Sequence, residues 1–408
     1  MLFETERLLV RRLREDDAEA LHGLLSDPEV MRYIEPTFTP ERTRTFLREA
    51  GLCEPPLVYA VTRKQTGELI GQLIWHGWDD DAMELGWILR RELWGRGLAK
   101  ELTGALLARE KRDVVLECSP DQTATRHLAE IFGFLQVPSQ DGRPVFRRRG
   151  LWTSVERMTR EITAILGKKA HSLWLYGSVV LDDFRLGWSD VDFLALSSGP
   201  LTAEEAERLL LLRQRLSAQE PGNPYYRCFE GIVADRDEYL RQDYTRVVYW
   251  GTSGQRVTDR VGEDVFARYE LAKYGRPVFG NPDRSLFREP DRGSLVRAVR
   301  DHLRGIRSCA VRTDESLYSC GWLLDVARCM YTLRFGDVIG KSKAGQWALE
   351  EGLFPAEDDL RQTLAIRNDP QAYKNRPAVK TWLRGLGDTV QRCADVLEDE
   401  LRRMPPQP

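Results

Sequence analysis

Residues 176–196 limit the possible folds of this chain more than any other segment of its sequence. They read YGSVVLDDFRLGWSDVDFLAL, in which one apolar strand ends at Gly177-Ser178 and a second begins at Asp190-Val191-Asp192. Residues i and i+2 of a strand point to the same face, so the carboxylates of Asp190 and Asp192 should converge. Hard cations take such oxygen ligands and can orient a nucleoside triphosphate. The segment therefore predicts a metal and phosphate site, with an Asp-rich turn before a buried strand as the structural alternative.

A third carboxylate, Glu230, lies between apolar neighbours in the segment FEGIV at 229–233. A charged side chain in a buried strand needs a metal or a partner to offset its desolvation. We therefore predict a metal or a partner for Glu230, unless it is a surface residue of an edge strand. The turn at Gly177-Ser178 would offer a backbone N–H and a hydroxyl to phosphate oxygens.

This arrangement resembles the polymerase-β-like nucleotidyltransferases. Residues 271–280 (LAKYGRPVFG) and 323–351 (LLDVARCMYTLRFGDVIGKSKAGQWALEE) are similar to the streptomycin/spectinomycin adenylyltransferases, and the likeness runs from about 155 to 402. The resemblance implies that Asp190 and Asp192 bind Mg²⁺. It implies that Glu230 is the catalytic base on the drug hydroxyl or a further metal ligand. It also implies that Arg328 and Lys341 contact the phosphates of ATP.

A second candidate site lies near the N-terminus, in residues 84–101 (ELGWILRRELWGRGLAKE). A predicted strand leads into a loop containing Gly95, Gly97 and Ala99, and a helix follows directly. Small residues let backbone N–H groups close on a pyrophosphate, and the helix N-terminus adds its positive end. The nearby cations include Arg91 and Arg96. A tight strand-to-helix turn without a ligand would also use glycines.

The N-terminal region resembles the GNAT acetyltransferases, in the branch that modifies ribosomal-protein N-termini and small amines. The likeness covers residues 1–148 and rests on ETERLLVRRLREDD, SDPEVMRY, WGRGLA and PDQTATRHLAEIFGF, in that order. It implies acetyl-CoA with its pyrophosphate on residues 94–100, and Glu84 as general base. Glu84 could instead be a solvent-facing strand residue. The Asn that often orients the pantetheine arm is Gln122 here, and residues 114–134 contain no tyrosine.

The pattern of elements predicts an α+β, multidomain chain. We expect a GNAT domain at 1–148, a polar and solvated linker within 138–150, a nucleotidyltransferase domain at 151–288 and a C-terminal helical bundle at 289–408. The bundle follows from apolar stripes at helical spacing, such as Val296, Val299, Leu303 and Ile306.

Composition narrows the function further. The 408 residues include 60 Lys+Arg and 63 Asp+Glu, which gives a net charge of −3. This charge argues against a protein that binds nucleic acid mainly through an overall positive charge. The seven cysteines form no CxxC pair, and no apolar stretch is long enough to span a membrane. We expect a soluble, cytoplasmic monomer or small homo-oligomer with a small-molecule substrate and no nucleic-acid or membrane partner.

These features together predict a bifunctional antibiotic-modifying enzyme. The C-terminal half would O-adenylylate an aminoglycoside or aminocyclitol with ATP and Mg²⁺, and the N-terminal half would N-acetylate an amine with acetyl-CoA. Aminoglycosides are polycations, and we expect five acidic residues to line an entrance for them: Asp182, Asp183, Asp235, Asp237 and Glu238. Two alternatives stay open. The GNAT-like domain could bind or dimerise without chemistry, and the nucleotidyltransferase could act on a protein or a tRNA.

Overall fold

The structure is a computed structural model that describes residues 2–139, 142–251, 254–262 and 264–404. These residues form two compact units. The first contains the described residues up to Val155 together with the loop Gln219–Pro224, and the second contains Glu156–Ala218 and the described residues from Tyr225 onward. Among the described residues, no helix is both long and apolar enough to cross a bilayer.

The first unit is built on a mixed sheet whose strands, within the described residues, follow the order β1-β2-β3-β4-β5-β6-β8-β7. The strands are β1 (Phe3–Glu4), β2 (Leu8–Arg11), β3 (Val58–Arg63), β4 (Leu69–Gly77), β5 (Ala82–Leu89), β6 (Asp113–Glu117), β7 (Leu135–Val137) and β8 (Val145–Arg148). The helices are α1 (Ala18–Leu25), α2 (Pro28–Met31), α3 (Pro40–Phe46), α4 (Leu98–Leu107) and α5 (Thr123–Ile131). Buried leucines, valines and aromatic residues from these helices and the sheet form two apolar clusters.

Strands β5 and β6 run parallel but stay paired over only three residues. Their register joins Ala82–Glu84 to residues 113–115, after which β5 continues to Leu89 without pairing to β6. The other neighbouring strands of this sheet are antiparallel. The sheet therefore opens just past Glu84, which is the last residue of β5 that pairs with β6.

The predicted solvated linker at 138–150 is wrong where the structure describes it. Strand β8 lies inside this segment and pairs with both β6 and β7. The buried carboxylate of Asp113 accepts hydrogen bonds from Arg147 Nε (2.7 Å), Gly150 N (2.7 Å) and Thr153 Oγ1 (2.7 Å). The segment is thus part of the first unit, and residues 140–141 lie outside the described residues.

The second unit contains a sheet whose described strands follow the order β13-β12-β11-β10-β9-β14. They are β9 (Ala170–Leu175), β10 (Val191–Ser197), β11 (Phe229–Asp235), β12 (Val247–Gly251), β13 (Gly254–Thr258) and β14 (Arg276–Gly280). Strands β10 and β11 are parallel, and the other pairs are antiparallel. The helices that accompany the sheet are α6 (Leu151–Leu166, which starts in the first unit), α7 (Ala203–Gln219), α8 (Arg236–Arg241) and α9 (Val265–Lys273).

The rest of the second unit is helical. Its helices are α10 (Arg292–Cys309), α11 (Tyr318–Phe335), α12 (Lys341–Glu350), α13 (Glu357–Asn368), α14 (Pro370–Tyr373), α15 (Pro377–Arg384) and α16 (Gly387–Arg403). The predicted stripe of Val296, Val299, Leu303 and Ile306 is buried in the cluster that holds these helices together. The fold class is therefore confirmed: mixed α+β with a GNAT-like sheet and C-terminal helices. The boundaries at 148–151 and 288–289 stay predictions.

Candidate functional site

The three predicted carboxylates of the second unit lie together at one end of strands β10 and β11. Asp192 is paired in register with Glu230 across the two parallel strands, which puts both side chains on one face of the sheet. Asp190, one residue before β10, has its carboxyl group within hydrogen-bonding reach of Glu230. Strand β11 has a neighbour on each side, so Glu230 is not on an edge strand.

The crowding of these carboxylates makes Asp190 and Asp192 harder to ionise. Burial, followed by the charge of Glu230, raises the pKa of Asp190 to about 6. Burial and the nearby Glu270 and Asp190 carboxylates likewise raise the pKa of Asp192 above its usual range. Carboxylates this close together require a nearby cation if all of them are to be ionised. The guanidinium of Arg213 on α7 is one such cation, because it interacts electrostatically with both Glu230 and Asp190.

Two glycines let the strands approach this closely. Gly177 has a φ of +67°, and a Cβ there would collide with Oδ2 of Asp192. Gly231 has a φ of +154°, and a Cβ there would collide with the carbonyl oxygen of Phe193. Glycine therefore follows Glu230 because the neighbouring strand leaves no room for a side chain.

A cavity of about 310 Å³ opens beside these carboxylates within the second unit. It is lined by predicted residues from both parts of that unit: Gly177, Ser178, Asp190, Asp192, Arg328 and Lys341. The predicted site residues of the second unit are therefore brought together, with Glu230 beside Asp190 but not among the residues that line the cavity. The hydroxyl of Ser178 donates to the backbone carbonyl of Asp190 (3.2 Å), so it holds the turn against the strand.

Two of the cations that line the cavity, Arg328 and Lys341, are held by one carboxylate, Asp325 on α11. Lys341, the first residue of α12, brings its Nζ to 2.8 Å from Asp325 Oδ1. Arg328 makes only longer ion pairs, at 3.5 Å to Asp325 and 3.8 Å to Glu270, and its buried Nε has no hydrogen-bond partner among the described residues. The Arg328 guanidinium thus keeps an unused donor in the cavity, as a residue that binds a phosphate would.

Sequence reasoning missed Glu270 and Asp325, which helices bring to the cavity. Glu270, on α9, is 4% exposed and accepts a hydrogen bond from the backbone N–H of Gly177. Burial raises the pKa of Glu270 to about 7, although Arg328 acts in the opposite direction. Glu270 comes one residue before the segment 271–280 that carried the family resemblance, which was the available signal.

The predicted acidic entrance is wrong for two of its members. Asp235 caps the N-terminus of α8 by accepting from the backbone of residues 237 and 238, and Glu238 is itself buried. Asp183 does line the cavity, but it is buried there and forms an ion pair with Arg367 on α13 (2.8 Å). These three carboxylates lie inside the fold, which a sequence pattern does not display.

The donor set of the cavity fits Mg²⁺ and a triphosphate. Two carboxylates with raised pKa values face the same cavity as an arginine with an unused donor, and a metal prefers oxygen ligands of this kind. In the described part of the chain, no three His, Cys, Asp or Glu side chains are already arranged to hold a metal ion. That Glu230 is a third ligand of the metal therefore stays a prediction.

The second candidate site, in the first unit, is an open loop before a helix. Gly95 (φ +74°) and Gly97 (φ +73°) are both left-handed, and Gly97 directly precedes α4. A Cβ at Gly95 would meet nothing within 4 Å, and one at Gly97 would meet only Arg7 Nη2 at 3.9 Å. Residues 98–100 begin the helix, so their N–H groups have no partner within it. This empty, N–H-lined space fits a pyrophosphate.

The other predicted residues surround this part of the sheet. Arg91 and Arg96 are exposed, and Ala99 lies in the first turn of α4. Gln122 is at the start of α5 without capping it. Glu84 is 23% exposed, and its Oε2 lies 3.3 Å from Nε2 of His76, so it is not a freely solvated residue.

Comparison with known families gives two matches, one in each unit. Residues 7–135 match the model of the acetyltransferase (GNAT) domain, and residues 285–397 match that of the aminoglycoside adenylyltransferase, C-terminal domain. The chain is therefore a transferase that combines an acetyl-transfer domain with an aminoglycoside adenylyltransferase domain. Both parts of the predicted resemblance are confirmed.

Individual relatives cover only parts of the chain. The "uncharacterized N-acetyltransferase YnaD" of Bacillus subtilis is 24% identical over 140 residues, which are 33% of this chain and 82% of that protein. The "uncharacterized N-acetyltransferase p20" of Bacillus licheniformis is 31% identical over 110 residues, which are 25% of this chain and 62% of that protein.

A solved structure resembles the larger part of the chain. It is the spectinomycin adenyltransferase AAD(9) from Enterococcus faecialis with ATP and spectinomycin. Its sequence identity to this chain is 16%, and the match has a TM-score of 0.46 and covers 60% of this chain and 99% of that one.

Proposed function

We propose that this chain is a bifunctional enzyme that modifies aminoglycoside or aminocyclitol antibiotics. The observation that carries the proposal is the single cavity in which Asp190 and Asp192 face Arg328 and Lys341. Acidic and basic groups opposed in this way suit a magnesium-bound triphosphate better than a neutral ligand. The family match over residues 285–397 supports an aminoglycoside as the acceptor, and the carboxylates of the cavity suit a polycationic drug.

In the nucleotidyltransferase half, we assign each charged group a task. Asp190 and Asp192 would hold Mg²⁺, which offsets the negative charge of the triphosphate when it is bound. Arg328 and Lys341 would bind the phosphates from the helical side of the cavity. Glu230 would take the proton from the drug hydroxyl as its oxygen attacks the α-phosphate and pyrophosphate leaves.

In the acetyltransferase half, the loop at Gly95, Arg96, Gly97 and Ala99 would bind the pyrophosphate of acetyl-CoA, with Arg91 beside it and Gln122 near the pantetheine arm. Glu84 would remove a proton from the ammonium group of the substrate, because only the neutral amine can attack the thioester. The family match over residues 7–135 supports acetyl-CoA as the co-substrate.

We further propose three domains, at 1–148, 151–288 and 289–408, in a cytoplasmic monomer or small homo-oligomer. ATP and acetyl-CoA are both available in the cytoplasm. The net charge of −3 favours a small-molecule substrate over a nucleic acid.

Mass spectrometry of a panel of aminoglycosides tests both activities at once. The full chain is incubated with each drug and either ATP with Mg²⁺ or acetyl-CoA. A gain of one AMP or of one acetyl group reports each half separately. Adenylylation without any acetylation would favour a GNAT-like module that binds or dimerises, and no modified drug in either reaction would favour a protein or tRNA target.

Replacement of Lys341 by Met tests the phosphate-binding role. We expect kcat/KM for ATP to fall at least about tenfold, a loss of about 1.4 kcal/mol, because a charge-assisted contact to phosphate is removed. Asp325 keeps Arg328 as a partner, so no buried charge is left alone. The matched control is Lys343→Met, which removes an exposed lysine two residues further along α12. Equal kinetics in the two variants would remove Lys341 from the site.

Replacement of Gly97 by Asp tests the acetyl-CoA loop. The new carboxylate would occupy the space proposed for the pyrophosphate and repel it, so acetyl-CoA affinity should fall at least about tenfold. Gly67→Asp is the control, because Gly67 has nearly the same φ (+72°), equally open surroundings and a position in the turn between β3 and β4. Calorimetric titration with acetyl-CoA measures both. Similar dissociation constants for the two variants would contradict the proposed loop.

A further inference from the structure

The side chains of His76 and Glu84 form a pair on the face of the sheet next to its opening. They are directly opposite each other across the antiparallel strands β4 and β5. His76 Nε2 lies 3.3 Å from Glu84 Oε2, and both side chains are mostly buried, at 31% and 23% exposure. Glu84 is also the last residue of β5 that pairs with β6. The pair is therefore fixed by the backbone register at the point where the sheet opens.

A second contact of the His76 ring determines where its proton lies. The Nδ1 atom is 3.0 Å from the backbone carbonyl oxygen of Gly77. A carbonyl oxygen can only accept, so Nδ1 carries the hydrogen and donates it. In the neutral ring, Nε2 then has a lone pair and no hydrogen. The atom that carries this lone pair lies 3.3 Å from the carboxylate oxygen Oε2 of Glu84.

The lone pairs of His76 Nε2 and Glu84 Oε2 repel at a distance of 3.3 Å, and one proton between the two atoms removes the repulsion. The proton can be drawn on His76, as an imidazolium beside a carboxylate, or on Glu84, as a carboxylic acid that donates to Nε2. Both states belong to one coupled pair. Burial raises the pKa of Glu84 and His76 lowers it, while Glu117 on β6 raises it. Glu117 is itself in an ion pair with Arg143 (3.0 Å).

We propose that His76 and Glu84 act as one proton acceptor for acetyl transfer, in which Glu84 receives the proton of the substrate ammonium and His76 holds it on Nε2. This inference rests on the proposed acetyltransferase function and adds His76 to it as a positioning residue. The N–H bond of the ammonium breaks and its electron pair stays on the nitrogen. The proton passes to the Glu84 carboxylate and then into the gap between Oε2 and Nε2, which leaves the neutral amine free to attack.

The pair should be a stronger base than a lone glutamate. A carboxylate that takes up a proton alone becomes neutral and weakly basic, whereas the pair gains a hydrogen bond and loses a repulsion in the same step. The pair therefore loses its shared proton at a higher pH than an isolated carboxylic acid would lose its own. Removal of His76 should shift the acidic limb of the acetyl-transfer pH profile to lower pH and reduce the plateau rate.

Nuclear magnetic resonance of the full chain decides whether the pair exists. The chain contains five histidines, so [¹⁵N]histidine labelling gives few signals, and His76→Gln identifies the one from His76. Long-range ¹H–¹⁵N spectra, recorded from about pH 5 to pH 9, report the tautomer and the titration of each ring. We expect the Nδ1–H tautomer in the wild-type chain, a readout that needs no variant. We also expect Glu84→Gln to change the ring ¹⁵N shifts of His76, because the carboxylate beside Nε2 is replaced by an amide.

The chain contains its own control pair. His127 Nδ1 lies 3.9 Å from Glu130 Oε2, and both side chains are highly exposed, at 73% and 79%. Solvent screens this contact, so Glu130→Gln should change the ring ¹⁵N shifts of His127 less than Glu84→Gln changes those of His76. A neutral Nε2–H tautomer of His76, or ring ¹⁵N shifts of His76 that change no more than those of His127, overturns the proposal.

Kinetic measurements distinguish a failure of this inference from a failure of the proposed acetyltransferase function. The release of CoA from acetyl-CoA is measured with spermidine or kanamycin as the acceptor, since both carry primary amines. The acidic limb of kcat/KM should move to lower pH in His76→Gln, and an unchanged limb overturns the proton-holding role. If neither probe nor any drug of the panel is acetylated, the proposed acetyltransferase function fails, while the spectra still decide whether the pair shares a proton.

Discussion

Asp190→Asn and Asp192→Asn should each abolish ATP-dependent drug modification while the fold stays intact. Each change removes a negative charge from the pair proposed to hold Mg²⁺. Either substitution also relieves repulsion, since the neighbouring carboxylates raise the pKa of Asp190 and of Asp192. The free energy of unfolding should therefore hold or rise, whereas turnover falls. The measurement is the steady-state rate of AMP transfer together with a thermal unfolding curve.

A matched substitution distinguishes the site from a general effect of charge. Asp301→Asn removes an exposed carboxylate that pairs with Arg304 on α10, outside the cavity. This variant should keep full activity. If Asp190→Asn or Asp192→Asn keeps more than about a tenth of the wild-type rate, the two-carboxylate site is wrong. A tenfold loss is only about 1.4 kcal/mol, far below the cost of losing a metal-borne phosphoryl-transfer site.

Much of the second unit could be predicted because its signals are local. A Gly-Ser turn, a dozen residues and an Asp-x-Asp before an apolar run define two adjacent strands and the face on which Asp190 and Asp192 lie. Glu230 was predictable for the same reason, since a lone charge between apolar strand residues has a desolvation cost that needs a partner. The register of β10 with β11 then places Glu230 opposite Asp192.

Residues contributed by helices were not predictable in this way. Glu270 and Asp325 are charged residues on the helices α9 and α11, and charged residues on helices usually face water. Only the packing of these helices turns the two side chains toward the cavity. Their roles depend on tertiary contacts, so neither spacing nor composition could distinguish them from solvated residues.

The mistaken linker has the same cause. The predicted solvated linker contains Arg147 and Arg149, but the partner of both is Asp113, more than thirty residues earlier in the chain. The pair of His76 and Glu84 depends on the register of the hairpin formed by β4 and β5. The sequence did not define this register closely enough to show which residue of β4 lies opposite Glu84. Long-range pairs of charges were thus the main feature that sequence patterns left undetermined.

Glu230→Gln should lower kcat for adenylylation by roughly 10²–10⁴, because the amide keeps the shape of the side chain but cannot take a proton from the drug hydroxyl. Affinity for Mg²⁺-ATP should survive. The charge of Glu230 raises the pKa of Asp190, so its removal leaves Asp190 more readily ionised and better able to bind the metal.

Separate measurements of kcat and of Mg²⁺-ATP binding distinguish the two roles that remain open for Glu230. A variant that binds Mg²⁺-ATP normally but turns over slowly makes Glu230 the base. A folded variant that loses Mg²⁺-ATP affinity makes it a metal ligand instead. Glu204→Gln, an exposed change in the first turn of α7, controls for the loss of one negative charge. If Glu230→Gln and Glu204→Gln have the same kinetics, Glu230 takes no part in the reaction despite its place beside Asp190 and Asp192.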